Sequence, residues 1–197
     1  QVRMLNFLEN HDEQRLASPY FAGDAARGYA ALAFEALFND AAFMLYAGQE
    51  LGETASEGVA GRTSIFNWCH PASLSSLYSN IRDGVPLPSS RQKVLDRYRS
   101  ILPLKNEEPF ANGACHDLCY CSSTYEGFDP DRHFAFLRYT GQKASLVFCN
   151  FSGVHASATI RIPEGLLTQK CHPFRDGIHV EAEPYDAEIL VDLFDNG

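Results

Sequence analysis

The apolar positions of the first fifty residues follow the order strand, helix, strand. A short apolar stretch, which predicts a buried strand, ends at Leu8, and the following residues are abruptly polar, as at the C-terminal end of a barrel strand. Asp24 is placed to cap a helix that runs to about Asn39, and the apolar run 43–46 is typical of a parallel strand buried on both faces. The first strand and the helix are predicted from Val2, Met4, Leu5, Phe7 and Leu8, and from Tyr29, Leu32, Ala33, Ala36 and Leu37.

Residues 48–88 are predicted to form a long loop, and its position after a strand favours a binding surface over a simple connector. A second helix is predicted from Ser89 to Pro103, because Ser89 and Gln92 have the spacing of a capping box. Its apolar stripe consists of Val94, Leu95, Tyr98, Ile101 and Leu102. The polar segment 105–109 indicates a domain boundary.

From about Phe110 the period of the apolar positions changes to two. Phe134 and Phe136 alternate with their neighbours, and a strand over 144–151 follows a turn at Gly141. A further alternation precedes a turn at 163–165 and a closing strand over 189–193; its apolar members are Ala158, Ile160 and Ile162. These strands predict a small antiparallel β-sandwich.

The composition argues against some classes of partner. The formal charge is −9 and the sixteen basic residues are scattered, whereas phosphate binding needs clustered Lys and Arg. No apolar run approaches the roughly 20 residues that span a bilayer. We therefore expect neither a nucleic-acid nor a membrane partner.

The six cysteines leave three alternatives: a metal site, disulfides or free thiols. The spacing Cys115-His116-x-x-Cys119-x-Cys121 resembles half of a zinc site, but the chain offers no second pair of ligands for it. We therefore expect no metal and partly buried free thiols, with Cys149 in the core.

The most informative stretch is 9–15, where His11 and Asp12 stand side by side after the first apolar strand. One interpretation is structural: Asp12 caps a following helix and His11 is a half-buried hydrogen-bonding residue. The other is chemical, because strand ends of this kind carry active-site groups.

The pattern Phe7-x-x-Asn10-His11-Asp12-x-x-Arg15 resembles the end of the seventh barrel strand in α-amylase-type enzymes, family thirteen of the glycoside hydrolases. The run 43–50 resembles the eighth strand with its Tyr-x-Gly-Gln-Glu ending, and 61–68 is similar to the segment that follows it in bacterial members. Phe43 and Ala41 depart from the proline and glycine common there.

The resemblance implies an α/β plus all-β fold: the last two strands and helices of a (β/α)8 barrel over 1–104, and a C-terminal antiparallel β-sandwich over 105–197. A complete barrel needs about 250 residues, so the chain is expected to be part of a longer protein. The family's nucleophilic aspartate and acid/base glutamate belong to strands four and five, outside this chain.

The resemblance also implies roles for individual residues. Family members are retaining enzymes acting on α-glucosidic bonds, and Asp12 matches their third, transition-state-stabilising carboxylate. His11 and Asn10 are expected to bind substrate, although Asn10 fits better as a residue that holds the turn. Arg15 is expected to pair with a carboxylate, and Glu50 to orient loops at the rim.

Further expectations concern ligands and assembly. An α-glucan is the expected substrate, with Trp68 and Tyr78 as candidate stacking residues. Trp68 and Phe66 fit equally well as residues that pin the loop to the barrel. We expect that this chain holds no cofactor. If the protein uses calcium, we expect the ion to bind outside this chain. Alone, it should be inactive and self-associate through exposed barrel edges.

Two rival interpretations remain. One is an amylase-like scaffold without catalysis, against which His11 and Asp12 argue. The other is a carbohydrate-binding or interaction module, which glycan binding by residues from Phe110 onward would support. The sequence leaves open the localisation, the glucan, and hydrolysis against transglycosylation.

Overall fold

The computed structural model describes residues 4–55, 70–167 and 176–194. Its first part is a β-α-β unit. Strand β1 (Asn6–Phe7) pairs in parallel with β2 (Phe43–Met44), in the register Asn6 to Phe43 and Phe7 to Met44. Between them lie a 3-10 helix (Ala25–Gly28) and helix α1 (Tyr29–Leu37). The Asp24 side chain caps this helical segment, as predicted, by accepting a 2.9 Å hydrogen bond from the Ala26 N–H.

The prediction that the first strand is buried is wrong for most of its described residues. Met4, Leu5 and Phe7 are 65%, 50% and 41% exposed. The reason is that β1 pairs only with β2, and no other described strand covers its second edge. Side chains project from the faces of a sheet, and a sheet of two two-residue strands leaves these side chains largely without packed neighbours among the described residues.

The predicted loop over 48–88 contains helical structure, which corrects that prediction. A 3-10 helix (Gln49–Leu51) follows β2, and helix α2 (Ala72–Asp83) ends at Gly84. Gly84 has a φ of 69° and its N–H donates to the Asn80 carbonyl, as in a helix C-terminal cap. Leu74, Tyr78 and Ile81 have helical spacing, but Tyr78 and Ile81 are exposed among the residues that the structure describes.

Helix α3 (Ser89–Ile101) buries Val94, Leu95, Tyr98 and Ile101, and this confirms the predicted stripe except for Leu102, which lies half-buried in the following 3-10 helix. The predicted capping box is wrong, because the helix starts one residue early, with Pro88 at the N-cap. Gln92 therefore lies beyond the capping-box position, and its side chain donates to Asp96 instead. After Ile101 the chain tightens into a 3-10 helix (Leu102–Asn106) that contains Pro103.

The second part of the chain is antiparallel, as predicted. The strands are β3 (Ala114–Asp117), β4 (His133–Tyr139), β5 (Ala144–Asn150), β6 (Ala156–Ile160), β7 (Ile178–Ala182) and β8 (Ala187–Leu190). Four of them form one sheet in the order β3-β4-β5-β8, and β6 pairs with β7 in a separate two-stranded antiparallel sheet. A short helix, α4 (Cys119–Ser122), follows β3. The closing strand thus lies slightly earlier than 189–193, since Asp192 has a φ of 52° and leaves the extended conformation.

The four-stranded sheet is covered on both faces. On one face Phe136, Val147 and Cys149 pack against α1 and α3; on the other Ala135, Leu137 and Leu146 pack against β6 and β7. Consequently every residue of β5 is buried. Residues on both sides of the predicted boundary at 104–105 therefore share one apolar core, while the boundary itself stays a prediction.

No helix in the described ranges is both long and apolar enough to cross a bilayer.

Candidate functional site at the end of the first strand

The segment after β1 folds into a tight turn built on Asn10. Its Oδ1 accepts hydrogen bonds from the N–H groups of Asp12 (2.8 Å) and Glu13 (3.0 Å). This is the Asx arrangement by which asparagine fixes a turn. Asn10 therefore holds the turn, as its residue type suggested, and its predicted contact with substrate stays a prediction.

The turn brings His11 and Asp12 together and exposes them. His11 Nε2 lies 3.5 Å from Asp12 Oδ1, and the two side chains are 58% and 74% exposed. The structural interpretation is not supported, because Asp24 rather than Asp12 caps the following helical segment and the His11 side chain is largely exposed. Both side chains are free to meet a ligand at the C-terminal end of β1.

Directly beneath the turn lies a buried ion pair. Arg15 Nε lies 2.7 Å from Glu9 Oε2, and each side chain is only 2–3% exposed. Glu9 Oε1 also accepts the Leu16 N–H at 2.8 Å. The expectation that Arg15 pairs with a carboxylate is confirmed; that the partner is Glu9 was not foreseen. The available signal was an acidic residue directly after an apolar strand, six residues before an arginine.

Glu9 has an altered acidity. Burial raises the pKa of its carboxyl group, while the charge of Arg15 and the hydrogen bonds from Leu16 and Arg15 oppose that rise. The nearby Glu50 carboxylate adds to the rise. The pair is thus a costly buried arrangement that depends on both partners.

Arg15 also connects the turn to the segment after β2. Its Nη2 donates to the Ala47 carbonyl at 2.9 Å, and its guanidinium lies 4.8 Å from the centre of the Tyr46 ring. A cation over an aromatic ring adds attraction on the order of 1 kcal/mol. The two strand ends are therefore joined through one side chain.

The Tyr-x-Gly-Gln-Glu ending takes a compact form after β2. Gly48 has a φ of 86°, and a Cβ there would come within 2.8 Å of Ser73 Oγ, so the position requires glycine. Gln49 is buried and donates to the Tyr98 hydroxyl at 2.9 Å. The predicted role of Glu50 at the rim stays a prediction.

Glu53, which the sequence did not single out, fixes the start of α2. Its buried carboxylate accepts hydrogen bonds from the N–H groups of Thr54, Ala55 and Ser73 and from the Ser73 hydroxyl. Burial alone would raise its pKa, but these hydrogen bonds to the charged form outweigh burial and lower the pKa. Glu53 therefore acts as a structural anion.

Two grooves flank β1 and β2. One, of about 250 Å³, lies between β1 and α1 and has a mixed lining that includes Met4, Leu5, Phe34, Asn6 and Glu35. The other, of about 410 Å³, lies between β2 and α3 and is mainly apolar; it includes Leu45, Leu95 and Tyr98.

The cysteine cluster gives no described metal centre. Cys115, Cys119, Cys121 and Cys149 are free thiols, and no set of three or more His, Cys, Asp or Glu side chains in the described ranges could hold a metal ion. Cys149 is fully buried in the core, as predicted. Burial raises the pKa of Cys119 to about 12, which keeps it a thiol.

Several predicted features lie outside the described residues: Val2, the 61–68 motif with Trp68, and Cys69 and Cys171. Tyr78 lies on α2 with its ring 59% exposed and the Arg82 guanidinium 4.9 Å from its centre. That arrangement occupies one face of the ring with a cation.

Comparison with solved structures assigns the fold. The chain has the fold of part of the α-amylase-type enzymes, and 184 chains match it. A debranching enzyme of Nostoc punctiforme soaked with acarbose matches at TM-score 0.58 and 16% identity, over 96% of this chain and 34% of that chain.

Two further structures give the same result. AmyP in complex with maltose has TM-score 0.62 and 20% identity, over 95% of this chain and 40% of that chain. The α-amylase of Geobacillus thermoleovorans complexed with acarbose has TM-score 0.60 and 15% identity, over 96% of this chain and 39% of that chain. This chain thus spans well under half the length of these structures. No family model and no curated protein sequence matches it.

Proposed function

We propose that this chain is the C-terminal part of a retaining glycoside hydrolase that acts on α-glucosidic bonds of starch-like α-glucans. The observation that carries the proposal is the exposed His11–Asp12 pair at the C-terminal end of a strand in a parallel β-α-β unit. In barrel enzymes catalytic groups lie at that end of the strands. The fold likeness to AmyP with maltose and to an α-amylase with acarbose supports the same substrate class.

The same comparison supports the layout that we propose. The β1-α1-β2 unit and α3 form the last part of a (β/α)8 barrel, and the antiparallel strands form the C-terminal domain that packs behind it. The other strands, the nucleophile and the acid/base residue belong to a part of the protein outside this chain.

In this mechanism Asp12 is a catalytic residue that touches the sugar without forming a bond to it. Its carboxylate accepts hydrogen bonds from sugar hydroxyls next to the reacting carbon and favours the distorted ring of the oxocarbenium-like transition state. His11 donates a hydrogen bond to the same sugar, and Asn10 holds the turn and borders the substrate. The exposure of both reactive side chains supports these roles.

The test is kinetic and uses the full-length protein. Because the Asp12 contact strengthens in the transition state, Asp12→Asn should lower kcat on starch-like glucans by about 10²- to 10³-fold. Glu13→Gln, next to it in the same exposed turn, is the matched control and should keep wild-type turnover. Near wild-type turnover of Asp12→Asn would contradict the assignment.

The 197 residues alone should show no glycosidase activity, because both carboxylates that form and cleave bonds lie elsewhere. If the purified chain released reducing sugar and Asp12→Asn abolished that release, the result would contradict the proposal that the nucleophile and the acid/base residue lie outside this chain.

A further inference from the structure

The exposed turn that carries His11 and Asp12 is closed at its base by the two residues that flank it. Glu9 stands directly before the turn and Arg15 directly after it, and their side chains meet at 2.7 Å in a buried position. The Glu9 carboxylate also accepts the Leu16 N–H, so both of its oxygens bind the far side of the turn. The ends of a five-residue segment are thus held together by side chains.

The same arginine fixes the turn relative to the second strand. Its Nη2 donates to Ala47 and its guanidinium lies over the Tyr46 ring, while its Nε meets Glu9. The planar guanidinium presents several donors in fixed directions, which a lysine ammonium does not. One side chain therefore connects the end of β1, the turn and the end of β2.

We propose that Glu9 and Arg15 are positioning residues for the reaction: they place the Asp12 carboxylate and the His11 imidazole where the sugar meets them. The inference rests on the proposed function and adds two residues to it. Neither residue touches substrate in this account, because both side chains are buried under the turn.

A purely structural role accounts poorly for this arrangement. A buried ion pair is commonly no more stabilising than apolar residues of the same size, because both charges lose their hydration. The turn itself is exposed, and its own hydrogen bonds come from Asn10. Orientation, by contrast, has a large kinetic effect, since a misplacement of about 1 Å can lower the rate by about 10²-fold.

The first test measures steady-state kinetics of full-length variants. Glu9→Gln keeps the size of the side chain and an acceptor for the Leu16 N–H but removes the negative charge. Arg15→Lys keeps the positive charge but removes the planar guanidinium with its several N–H donors. We expect each to lower kcat by about 10- to 100-fold with a smaller change in KM. Because the pair acts as a unit, the double variant should be about as slow as the slower single variant.

The matched control is Arg97→Lys. Arg97 makes a comparable ion pair with Asp186 between α3 and the segment before β8, at 2.5 Å and with 24% exposure. It should lower the melting temperature without lowering kcat of the folded enzyme. Equal kcat values for the wild type, Glu9→Gln and Arg97→Lys would overturn the proposal.

A second test does not depend on activity and again uses the full-length protein. Glu9→Gln should increase amide hydrogen exchange at Asp12 and Glu13 relative to the wild type and Arg97→Lys. Unchanged exchange would overturn the positioning role. A full-length wild type that cleaves no α-glucan would refute the proposed function instead, and the exchange result would still decide whether the pair fixes the turn.

Discussion

At the start of β4, the imidazole of His133 is buried against the rings of Phe128 and Phe148, with centroid distances of 5.7 and 5.1 Å. Its Nδ1 accepts the Asp129 N–H at 3.0 Å, which requires that nitrogen to be unprotonated. Burial lowers the pKa of His133, and Arg132 adds to the effect while Asp129 opposes it. One neutral histidine thus connects the 129–133 turn to the core.

This arrangement predicts a loss of stability in mild acid. The unfolded His133 has a pKa of about 6.5 and the folded one a lower pKa, so below about pH 6.5 the unfolded state binds more protons. The free energy of unfolding should therefore fall as the pH decreases from about 7.5 to about 5.5. The measurement is urea unfolding at both pH values.

Replacing His133 by Gln should remove this component of the pH dependence, whereas His155→Gln, at an exposed position, should leave it intact. The same decrease in all three proteins would show that another group titrates.

At the scale of elements, helix α1 is bound at both ends by the antiparallel part of the chain. The Tyr185 carbonyl accepts the Ala30 N–H near its start. At its end Lys105 Nζ donates to the Ala36 carbonyl, and the buried Arg138 donates to Phe38 and pairs with Asp40. Cations at a helix C-terminus stabilise its unpaired carbonyls. Arg138 of β4, Lys105 of the 3-10 helix after α3 and Tyr185 in the segment before β8 therefore fix the helix that follows the His11–Asp12 turn.

Replacing Arg138 by Met should lower the free energy of unfolding by on the order of 3 kcal/mol or more, because several buried carbonyls each lose a donor. Besides Phe38, these are the carbonyls of Phe110 and Gly113. Arg132→Met removes a mostly exposed arginine and should change stability little. The measurement is chemical unfolding of the wild type and both variants. An equal loss of the free energy of unfolding in the two variants would contradict the role of Arg138.

Local patterns predicted those elements whose apolar faces meet a core. The α3 stripe and the alternation in β6 are buried as predicted, since each packs on one side. The exposure of β1 and the presence of helix α2 were not predicted, because burial depends on distant neighbours and α2 buries only Ser73 among the described residues.

The candidate site also contains residues that the sequence predicts and residues that it does not. Asn10, His11 and Asp12 could be identified from adjacent residues, whereas the Glu9–Arg15 pair joins two residues six apart and depends on the turn between them. The extension of that pair to Ala47 crosses 32 positions, and single-sequence periodicity carries no information on such contacts.

At the scale of the whole molecule, the β1–β2 pair has two unpaired edges among the described strands, and a groove of mixed lining and a mainly apolar groove flank the pair. Parallel strands are ordinarily covered on both faces, and open edges are sites of strand pairing. The exposed apolar side chains on this surface are Met4, Leu5, Phe7 and Leu45.

The purified 197-residue chain should therefore self-associate as its concentration rises, and Leu45→Lys should weaken the association. Val154→Lys changes an exposed apolar residue far from this surface in the sequence and is the control. Sedimentation equilibrium measures the effect. A chain that stays monomeric throughout, or equal effects of the two variants, would contradict this surface as the contact.

The most direct test of the central claim is a crystal structure of the full-length protein with a bound maltooligosaccharide or acarbose. The account predicts that the Asp12 carboxylate accepts hydrogen bonds of about 2.5–3.0 Å from hydroxyls of one sugar ring, with His11 donating to the same ring. A sugar bound elsewhere, with both side chains still in solvent, would contradict it.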